Sequence, residues 1–246
     1  MTDAIVFNGA NTLDFFNVRS NVVRIPEVMA RLSQAQDLWD RNKSESFNFY
    51  NFIVSEDRTF LSSLKLKALC SAVVQIGLYD RYIKKFGPSS LVIGAINGDS
   101  ALRTIVGEQS FAELVLGESV ASTVAFGPRA HLKLAEEPVL SGVSLTEYQV
   151  FRAADDELGE VSFVRTDYSD MEVTRLVTKL VTDENVNRFV SIGPGSLLLD
   201  RAQQELALYD IQMLESIDLD PMLNWFWSEV KRPAYVQEDE YAAAAQ

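Results

Sequence analysis

A long apolar helix pattern, followed by a short apolar strand and a glycine, is the feature that most limits the fold of this chain. Apolar residues recur at helical spacing from Leu64 to Ile83, and residues 84–88 supply two lysines, a glycine and a proline that end a helix. The apolar run of residues 91–93 then leads into Gly94. A widely buried helix next to a short buried strand predicts an α/β fold with a short parallel sheet.

Shorter patterns predict further elements of the same fold class. Ser110 and Glu113 have the spacing of a capping box at the start of a helix. Residues 41–60 are polar and aromatic, and we expect them to form a long connection. Strands are expected at residues 3–7, 188–192 and 211–214, and helices at residues 25–39, 171–182, 197–208 and 220–231.

Residues 123–168 differ in character from the rest of the chain. Strand-like pieces at 131–134, 148–151 and 161–164 alternate there with acidic turns. This change predicts a reduced small subdomain, inserted into an α/β core made of residues 1–122 and 169–232. Residues 233–246 are expected to be a C-terminal tail.

Composition excludes several classes of function. With 246 residues and 47% hydrophobic content, the chain can bury a sizeable core. Its net charge of −13 argues against nonspecific binding to nucleic acid or to an anionic membrane. The single cysteine, Cys70, is expected to be a buried apolar residue in a reducing compartment. No apolar run approaches 18 residues and no secretory signal is present, so a cytoplasmic location is expected.

The turn after the second predicted strand has the spacing of a nucleophile elbow. Gly94 and Gly98 match the glycines of the G-x-S-x-G motif, in which a sharp strand-to-helix turn presents a serine. The central residue here is Ile96, which has neither a proton to lose nor a lone pair. The sequence therefore predicts the frame of an acyl-transfer site without its nucleophile. Because His and Cys clusters are missing, we expect no metal site, and no cofactor is indicated.

Four short motifs follow one another in a fixed order. They are Phe7-Asn-Gly-Ala-Asn11, Gly94-Ala-Ile-Asn-Gly98, Ser110-Phe111 and Gly193-Pro-Gly195. In this order they resemble the F-P-G-Q-G loop, the G-H-S-x-G elbow, the following helix start and the late G-P-G turn of malonyl-CoA:acyl-carrier-protein transacylases and polyketide-synthase acyltransferase domains. The resemblance covers residues 1 to about 120 and 170 to 231. It implies an acyltransferase-like core, related to the α/β-hydrolases, and an origin in fatty-acid or polyketide assembly.

The same resemblance implies that the active site has been lost. The family's serine, its preceding histidine and its oxyanion-hole glutamine fall on Ile96, Ala95 and Ala10. The helix after Ser110 carries Glu113 and Glu118 where an arginine would bind the malonyl carboxylate, and residues 152–192 contain no histidine. Removal of one oxyanion donor alone costs roughly 3 to 4 kcal/mol. Loss of nucleophile, base and clamp together predicts a pseudoenzyme.

Three other polar residues near these motifs have alternative interpretations. Ser100 and His131 could act as a displaced nucleophile and base, which would make the protein an acyltransferase or hydrolase with a rearranged site. Ser100 next to Asp99 is also suited to cap a helix, and a lone histidine is often structural. Ser196 follows the G-P-G turn and could contact a ligand or simply cap the turn.

Two functions without catalysis are compatible with the sequence. The first is a protein-interaction component that binds a synthase subunit, an acyl carrier protein or a second copy of itself. Its anchors would be Trp225, Phe226 and Trp227, because three successive aromatic side chains of a helix cannot all face the core. The second is a module that holds an acyl or pantetheine chain. Its cleft would be lined by Gly9, Ala10, Ile96, Gly193 and Gly195.

Overall fold

One sheet runs through the structure, which is a computed structural model. It describes residues 2–7, 13–14, 16–87, 91–94, 99–105, 107, 109–117, 133–134, 149–155, 159–165, 180–182, 185–193 and 211–223. The strands are β1 (Thr2–Phe7), β2 (Leu91–Gly94), β3 (Lys133–Leu134), β4 (Gln149–Asp155), β5 (Gly159–Arg165), β6 (Val186–Ile192) and β7 (Gln212–Glu215). Their order in the sheet is β3-β4-β5-β2-β1-β6-β7.

The middle of this sheet is parallel, as the sequence predicts. Strands β5, β2, β1, β6 and β7 all pair in parallel, whereas β4 and β3 extend the sheet antiparallel beyond β5. The predicted strands at residues 3–7, 91–93, 188–192 and 211–214 are confirmed within one or two residues. The α/β fold class is therefore confirmed.

The strand-like pieces of the predicted subdomain join the main sheet. They overlap β3, β4 and β5, and β5 pairs in parallel with β2 from Ser162–Leu91 to Arg165–Gly94. Residues 133–134, 149–155 and 159–165 therefore extend the central sheet in the described part of this region. The boundaries of the subdomain at 123 and 168, and the tail at 233–246, stay predictions.

The helices of the described residues surround the long helix α5. They are α1 (Phe16–Val22), α2 (Pro26–Asn42), α3 (Phe49–Ile53), α4 (Asp57–Ser62), α5 (Leu64–Phe86), α6 (Asp99–Ile105), α7 (Phe111–Leu116) and α8 (Ser216–Leu219). The predicted start of α2 and the predicted end of α5 are confirmed, with Pro26 in the first turn of α2 and Gly87 after α5 at φ 82°. Helix α2 continues to Asn42, three residues beyond its predicted end. The capping box of Ser110 and Glu113 is also present.

The prediction of a long connection at residues 41–60 was wrong. This stretch contains α3 and most of α4, and α1 precedes it without having been predicted. These helices have five to seven residues, which is too short for a helical period to be read from the sequence. Tertiary packing holds them instead, since Phe49 and Phe60 are fully buried and Phe47 contacts the ring of Trp39 at 5.3 Å.

Helices α2 and α5 cross at a glycine. A Cβ atom placed on Gly77 would lie 2.6 Å from the Cα of Val28, which no ordinary contact permits. The helix α5 in turn lies on the sheet, where the ring of Tyr79 meets that of Phe7 edge-on at 5.3 Å. Within the described residues, none of the helices is long and apolar enough to cross a membrane.

The C-terminal helix predicted for residues 220–231 is described only at its start. The carboxylate of Asp220 accepts a hydrogen bond from the Met222 N–H at 3.0 Å, and Pro221 lies between them. This is the expected geometry of an N-cap followed by a proline in the first position. Residues 224–231 lie outside the described residues, as does the predicted helix at 197–208. Of the helix predicted at 171–182, residues 180–182 are described and helical.

Candidate functional site

Strand order predicts a ligand-binding crevice at the carboxyl ends of β1 and β6. In the sheet, β2 lies next to β1 on one side, with β5 beyond it. On the other side, β6 lies next to β1, with β7 beyond it. Ligands of open α/β sheets bind where the strand order reverses in this way, outside the carboxyl ends of the strands. The last row of the sheet, Gly94–Phe7–Ile192, marks that edge.

The predicted cleft residues follow these three strand ends. Gly9 and Ala10 come after Phe7, Ile96 comes after Gly94, and Gly193 comes after Ile192. Because the strands are parallel and in register, their following segments leave the sheet at the same edge. The structure therefore places the strand ends that precede the predicted cleft residues next to one another, and whether the cleft forms there stays a prediction.

Among the cleft and elbow residues, the structure describes Gly94 and Gly193. Gly193 is buried with φ 109°, and its carbonyl oxygen accepts a hydrogen bond from the buried Ser191 hydroxyl at 3.4 Å. The predicted tight turn that begins there needs a glycine at this backbone angle. The other predicted site residues lie outside the described residues: Gly9, Ala10, Ala95, Ile96, Gly98, Gly195, Ser196 and His131.

The elbow has the structural context that its spacing predicts. Strand β2 ends at Gly94 and helix α6 begins at Asp99, so a parallel strand precedes residues 95–98 and a helix follows them. A strand before the motif and a helix after it are the flanking elements of a nucleophile elbow. The elbow itself lies outside the described residues and stays a prediction.

Ser100 has a different place from the one predicted. It is the second residue of α6 and not its N-cap, because the helix already begins at Asp99. Its side chain is exposed, and its backbone oxygen accepts a hydrogen bond from the Thr104 hydroxyl at 2.9 Å. The described residues around it supply no histidine for the role of a base.

The segment that follows β1 is held at its far end by a buried arginine. Arg19 is fully buried and its five N–H groups donate to five acceptors within 3.0 Å. Two of these are the backbone oxygens of Leu13 and Asp14, which precede α1. The others are the backbone oxygens of Ile53 and Ser55 and the carboxylate of Asp57.

Polar residues also line the part of α5 that extends past the sheet. The carboxyl end of α5 leads into the start of β2, so its amino end lies toward the carboxyl edge. Lys67, Ser71 and Gln75 follow one another at four-residue spacing before Tyr79, and each is more than nine-tenths buried. Lys67 forms an ion pair with Asp14. The half of α5 that lies toward the carboxyl edge of the sheet therefore carries three buried polar side chains.

The strand that pairs with β2 on the side away from β1 ends at an arginine. Arg165 is the last residue of β5, and the parallel register pairs it with Gly94. The sequence analysis did not predict this pairing of β5 with β2. A parallel pairing between strands some seventy residues apart leaves no local signal in the sequence, so only the topology reveals this neighbour.

A second cluster of charges lies where α5 meets the segment after β7. Asp220 accepts hydrogen bonds from Arg81 Nε at 2.7 Å and Lys85 Nζ at 2.5 Å, and Glu27 accepts from Arg81 at 3.2 Å. Burial raises the pKa of Asp220, but hydrogen bonds from Lys85, Arg81 and the Met222 N–H outweigh it and lower the pKa to about 2. The cluster fastens residues 216–223 to α5.

Two further features of the described residues bear on reactivity, namely the thiol of Cys70 and the arrangement of possible metal ligands. Burial raises the pKa of the Cys70 thiol, which agrees with the predicted buried apolar role. Within the described part of the chain, no group of three or more His, Cys, Asp or Glu side chains is arranged to hold a metal ion.

Comparison with known proteins agrees with this architecture. No protein-family model and no curated protein matches the sequence. Among solved structures, the acyl-carrier-protein S-malonyltransferase of Burkholderia pseudomallei superposes with a TM-score of 0.54 at 11% identity, over 94% of this chain and 100% of that chain. The malonyl-CoA–acyl carrier protein transacylase of Clostridium perfringens gives a TM-score of 0.52 at 10% identity, over 97% and 100%.

A third structure is a complex. It is a malonyl-transacylase bound to its type II PKS acyl-carrier protein, and it superposes with a TM-score of 0.52 at 11% identity over 87% of this chain and 95% of that chain. Sequence identity this low supports a statement about fold alone. The chain therefore has the fold of the malonyl-CoA:acyl-carrier-protein transacylases.

Proposed function

We propose that this protein is a catalytically inactive acyltransferase-fold protein that works through protein interaction, as a complex-stabilising component of fatty-acid or polyketide-type biosynthesis. The observation that carries the proposal is Ile96 at the centre of the turn between β2 and α6. Acyl transfer through a covalent intermediate needs a nucleophile at this point, together with a base and oxyanion donors. An isoleucine side chain supplies none of these.

The surroundings of the turn favour the same interpretation. Arg165 ends the strand next to Gly94, and a guanidinium stays protonated at any physiological pH, so it cannot act as a general base. Ser100 is exposed on α6 and has no described histidine near it to activate its hydroxyl. A displaced catalytic pair of Ser100 and His131 therefore has little to support it.

An apolar surface near the C-terminal segment supports the interaction role. Met222 is 75% exposed and Phe86 is 45% exposed, although both are large apolar side chains. Phe86 and Leu223 line one small groove with Leu78 and Tyr82, and its polar side is formed by Arg81, Ser216 and Asp220. The predicted anchors Trp225, Phe226 and Trp227 begin two residues after Leu223. We infer that these aromatic residues extend the apolar surface into a protein-binding site, since interface hot spots are rich in tryptophan.

The partner that we propose is a synthase subunit or an acyl carrier protein, with a homodimer as the alternative. The transacylase complex described above shows one protein of this fold bound to a carrier protein. The second candidate function, a module that holds an acyl or pantetheine chain, is favoured by one observation. Helix α5 carries buried polar residues on the half that lies toward the carboxyl edge of the sheet, and we infer that an amide or hydroxyl group bound there would contact them.

Two measurements test the proposal. Incubation of the purified protein with malonyl-CoA, followed by intact-mass analysis, should give no covalent acyl adduct. Light scattering of the protein alone and with candidate synthase subunits or carrier proteins should show a homodimer or a stable complex. An acyl adduct on Ser100 would overturn the loss of catalysis. A strict monomer that forms no complex but binds acyl-CoA would replace the interaction role with the ligand-binding role.

A further inference from the structure

We propose that the junction of α4 and α5 is a second interaction surface and that it binds an acidic amphipathic helix of a partner protein. This junction surface consists of two exposed leucines, Leu61 and Leu64, and two exposed cations, Arg58 and Lys65. It lies at the amino end of α5, about 33 Å from Phe86 at the other end, so it is separate from the apolar surface described above. The proposal therefore goes beyond the interaction role of the C-terminal segment and does not depend on it.

The apolar part of the junction surface comes from side chains of neighbouring helices. Leu64 is 74% exposed and Leu61 is 40% exposed, and their Cα atoms can be at most about 11 Å apart. Phe16 of α1 is 43% exposed. Its ring and that of Phe60, which precedes Leu61, both lie over the guanidinium of Arg19, with 5.7 and 4.3 Å between ring centroid and Cζ. Single exposed apolar residues are common on protein surfaces, whereas a group of them marks an interaction site.

The junction surface also carries positive charge that the described residues do not neutralise. The sequence contains no aspartate or glutamate between Arg58 and Tyr79, although the whole chain has 35 acidic residues and a net charge of −13. Lys67 is paired with Asp14, but Arg58 and Lys65 form no ion pair with any described residue. An acidic partner is therefore attracted to this place on a protein whose overall charge repels it.

The start of α5 is electrostatically unfavourable in this chain alone. Its first turn contains Lys65 and Lys67 and no acidic residue, and the side chain of Ser63 does not cap it. The amino end of a helix carries partial positive charge and favours carboxylates, so lysines at this end destabilise the helix. A sequence that breaks a local rule in this way is expected at a functional position, where a carboxylate from a partner offsets the charge.

The order of charges and leucines fits a helix better than a membrane. Arg58 lies one helical turn before Leu61 on α4, and Lys65 follows Leu64 on α5, so a cation accompanies each leucine. An amphipathic helix binds through apolar residues spaced by three and four, and acidic residues beside them would meet the two cations. Such a helix is about 10 Å wide and contacts the junction surface alone. An anionic membrane extends far beyond that surface and is repelled by the acidic protein around it.

The chain offers a matched control for each kind of residue. Met29 is 40% exposed, as Leu61 is, but it lies on α2, which crosses α5 in the carboxyl half of that helix. The side chain of Lys84 is 79% exposed and lies near the carboxyl end of α5. Met29→Ala and Lys84→Gln therefore remove the same kinds of group as Leu61→Ala and Lys65→Gln without touching the junction surface.

The experiment is a fluorescence-anisotropy titration of the full chain into a labelled synthetic helical peptide that has leucine at every third or fourth position and glutamate beside the leucines. A second peptide has glutamine in place of every glutamate. We expect wild-type protein to bind the glutamate peptide saturably and the glutamine peptide more weakly by roughly fivefold or more. Leu61→Ala and Leu64→Ala should each weaken binding of the glutamate peptide by roughly fivefold or more, and Arg58→Gln and Lys65→Gln by roughly twofold to fivefold. The two control variants should change it by less than about twofold, and circular dichroism should show an unchanged fold for every variant.

Three outcomes would overturn the proposal. They are no saturable binding of the glutamate peptide, equal affinity for the two peptides, and equal weakening by the control variants and the junction variants. Vesicles of phosphatidylglycerol test the membrane directly, because sedimentation with them that needs Leu64 and Lys65, without peptide binding, would assign the surface to a lipid. These measurements involve no acyl transfer and no residue after Leu223, so their failure leaves the proposed function standing. Failure of the C-terminal anchors likewise leaves the junction surface standing.

Discussion

Arg81 Nε lies 2.7 Å from a carboxylate oxygen of Asp220 and joins the long helix α5 to the segment that follows β7. The side chain of Asp220 is only 3% exposed, so water screens this contact little. Lys85 donates to the other carboxylate oxygen, and Arg81 also reaches Glu27 on α2. Three parts of the chain are thus held together by two carboxylates, Asp220 and Glu27, and two cations, Arg81 and Lys85.

Changing Asp220 to asparagine should lower the free energy of unfolding at pH 7 by roughly 2 kcal/mol. The pKa of Asp220 is about 2 in the folded protein, against an ordinary value of 3.8, and each unit corresponds to about 1.4 kcal/mol. Urea unfolding followed by circular dichroism measures the change. The exposed Asp37 of α2, changed to asparagine, is the control and should cost less than about 0.5 kcal/mol.

The cost of that substitution should depend on pH in a defined direction. A carboxylate whose pKa is lowered by folding stabilises the protein above its unfolded pKa, and the contribution disappears as the pH falls through the folded pKa. The difference between wild type and Asp220→Asn should therefore stay constant above about pH 5 and shrink between pH 4 and pH 2. A difference that grows with falling pH would contradict the assignment.

Replacing Arg19 by methionine should destabilise the protein by roughly 3 to 5 kcal/mol. The guanidinium is fully buried, donates to four backbone oxygens and one carboxylate, and lies 4.3 Å above the ring of Phe60. Methionine fills the volume but leaves these buried acceptors unsatisfied. The comparison is Asp57→Asn, which removes only the 58% exposed partner and should cost about 1 kcal/mol or less. Equal losses for the two variants would argue against a backbone-anchoring role.

Adding one carbon to Gly77 should destabilise the crossing of α2 and α5 by roughly 1 to 3 kcal/mol. Alanine is the better helix former, so helix propensity alone predicts the opposite sign. The new Cβ atom would lie 2.6 Å from the Cα of Val28, and a backbone atom cannot rotate away. Ala68→Ser adds one atom to the exposed face of the same helix and should be nearly neutral. A stabilised Gly77→Ala variant would show that the two helices can move apart without cost.

Local patterns in the sequence were sufficient to predict the long elements. The ends of α2 and α5 carry their own signals, namely Pro26 and the lysine–glycine–proline run after Ile83, and the capping box at Ser110 is complete in four residues. Strands β1, β2 and β6 are short apolar runs bounded by glycine, so their existence and order could also be predicted.

The elements that sequence analysis missed depend on contacts far along the chain. Helices α1, α3 and α4 are too short to show a period, and Arg19 joins them through oxygens 34 and 36 residues away. The strand beside β2 could not be predicted for the same reason, because β5, which ends at Arg165, pairs with β2 across some seventy residues of sequence. The polar stripe of Lys67, Ser71 and Gln75 was read as part of an apolar helix, since apolar residues separate its members.

Changing Ile96 to serine should not create an acyltransferase. A serine at the elbow still needs a base to take its proton and donors to stabilise the oxyanion, and Arg165 at the neighbouring strand end cannot accept a proton. Intact-mass analysis after incubation with malonyl-CoA should show the unmodified mass for both wild type and Ile96→Ser. Rapid acylation of Ile96→Ser alone would show that the rest of the machinery is present and that only the nucleophile has been lost.

Substitutions at the aromatic anchors should weaken self-association or partner binding without unfolding the protein. We expect Trp225→Ala or Trp227→Ala to cost roughly 2 kcal/mol or more of binding, as is typical of an interface hot spot. Met222→Ala should weaken binding as well, because this side chain is 75% exposed and precedes the anchors by three residues.

Leu64→Ala is the matched control. Leu64 is 74% exposed, but it begins α5, whereas Phe86 ends that helix about 33 Å away. Light scattering or calorimetric titration with the partner measures the affinities, and circular dichroism checks the fold. If Leu64→Ala weakens binding and the three other variants do not, the interface lies at the opposite end of α5 and the proposed anchors are wrong.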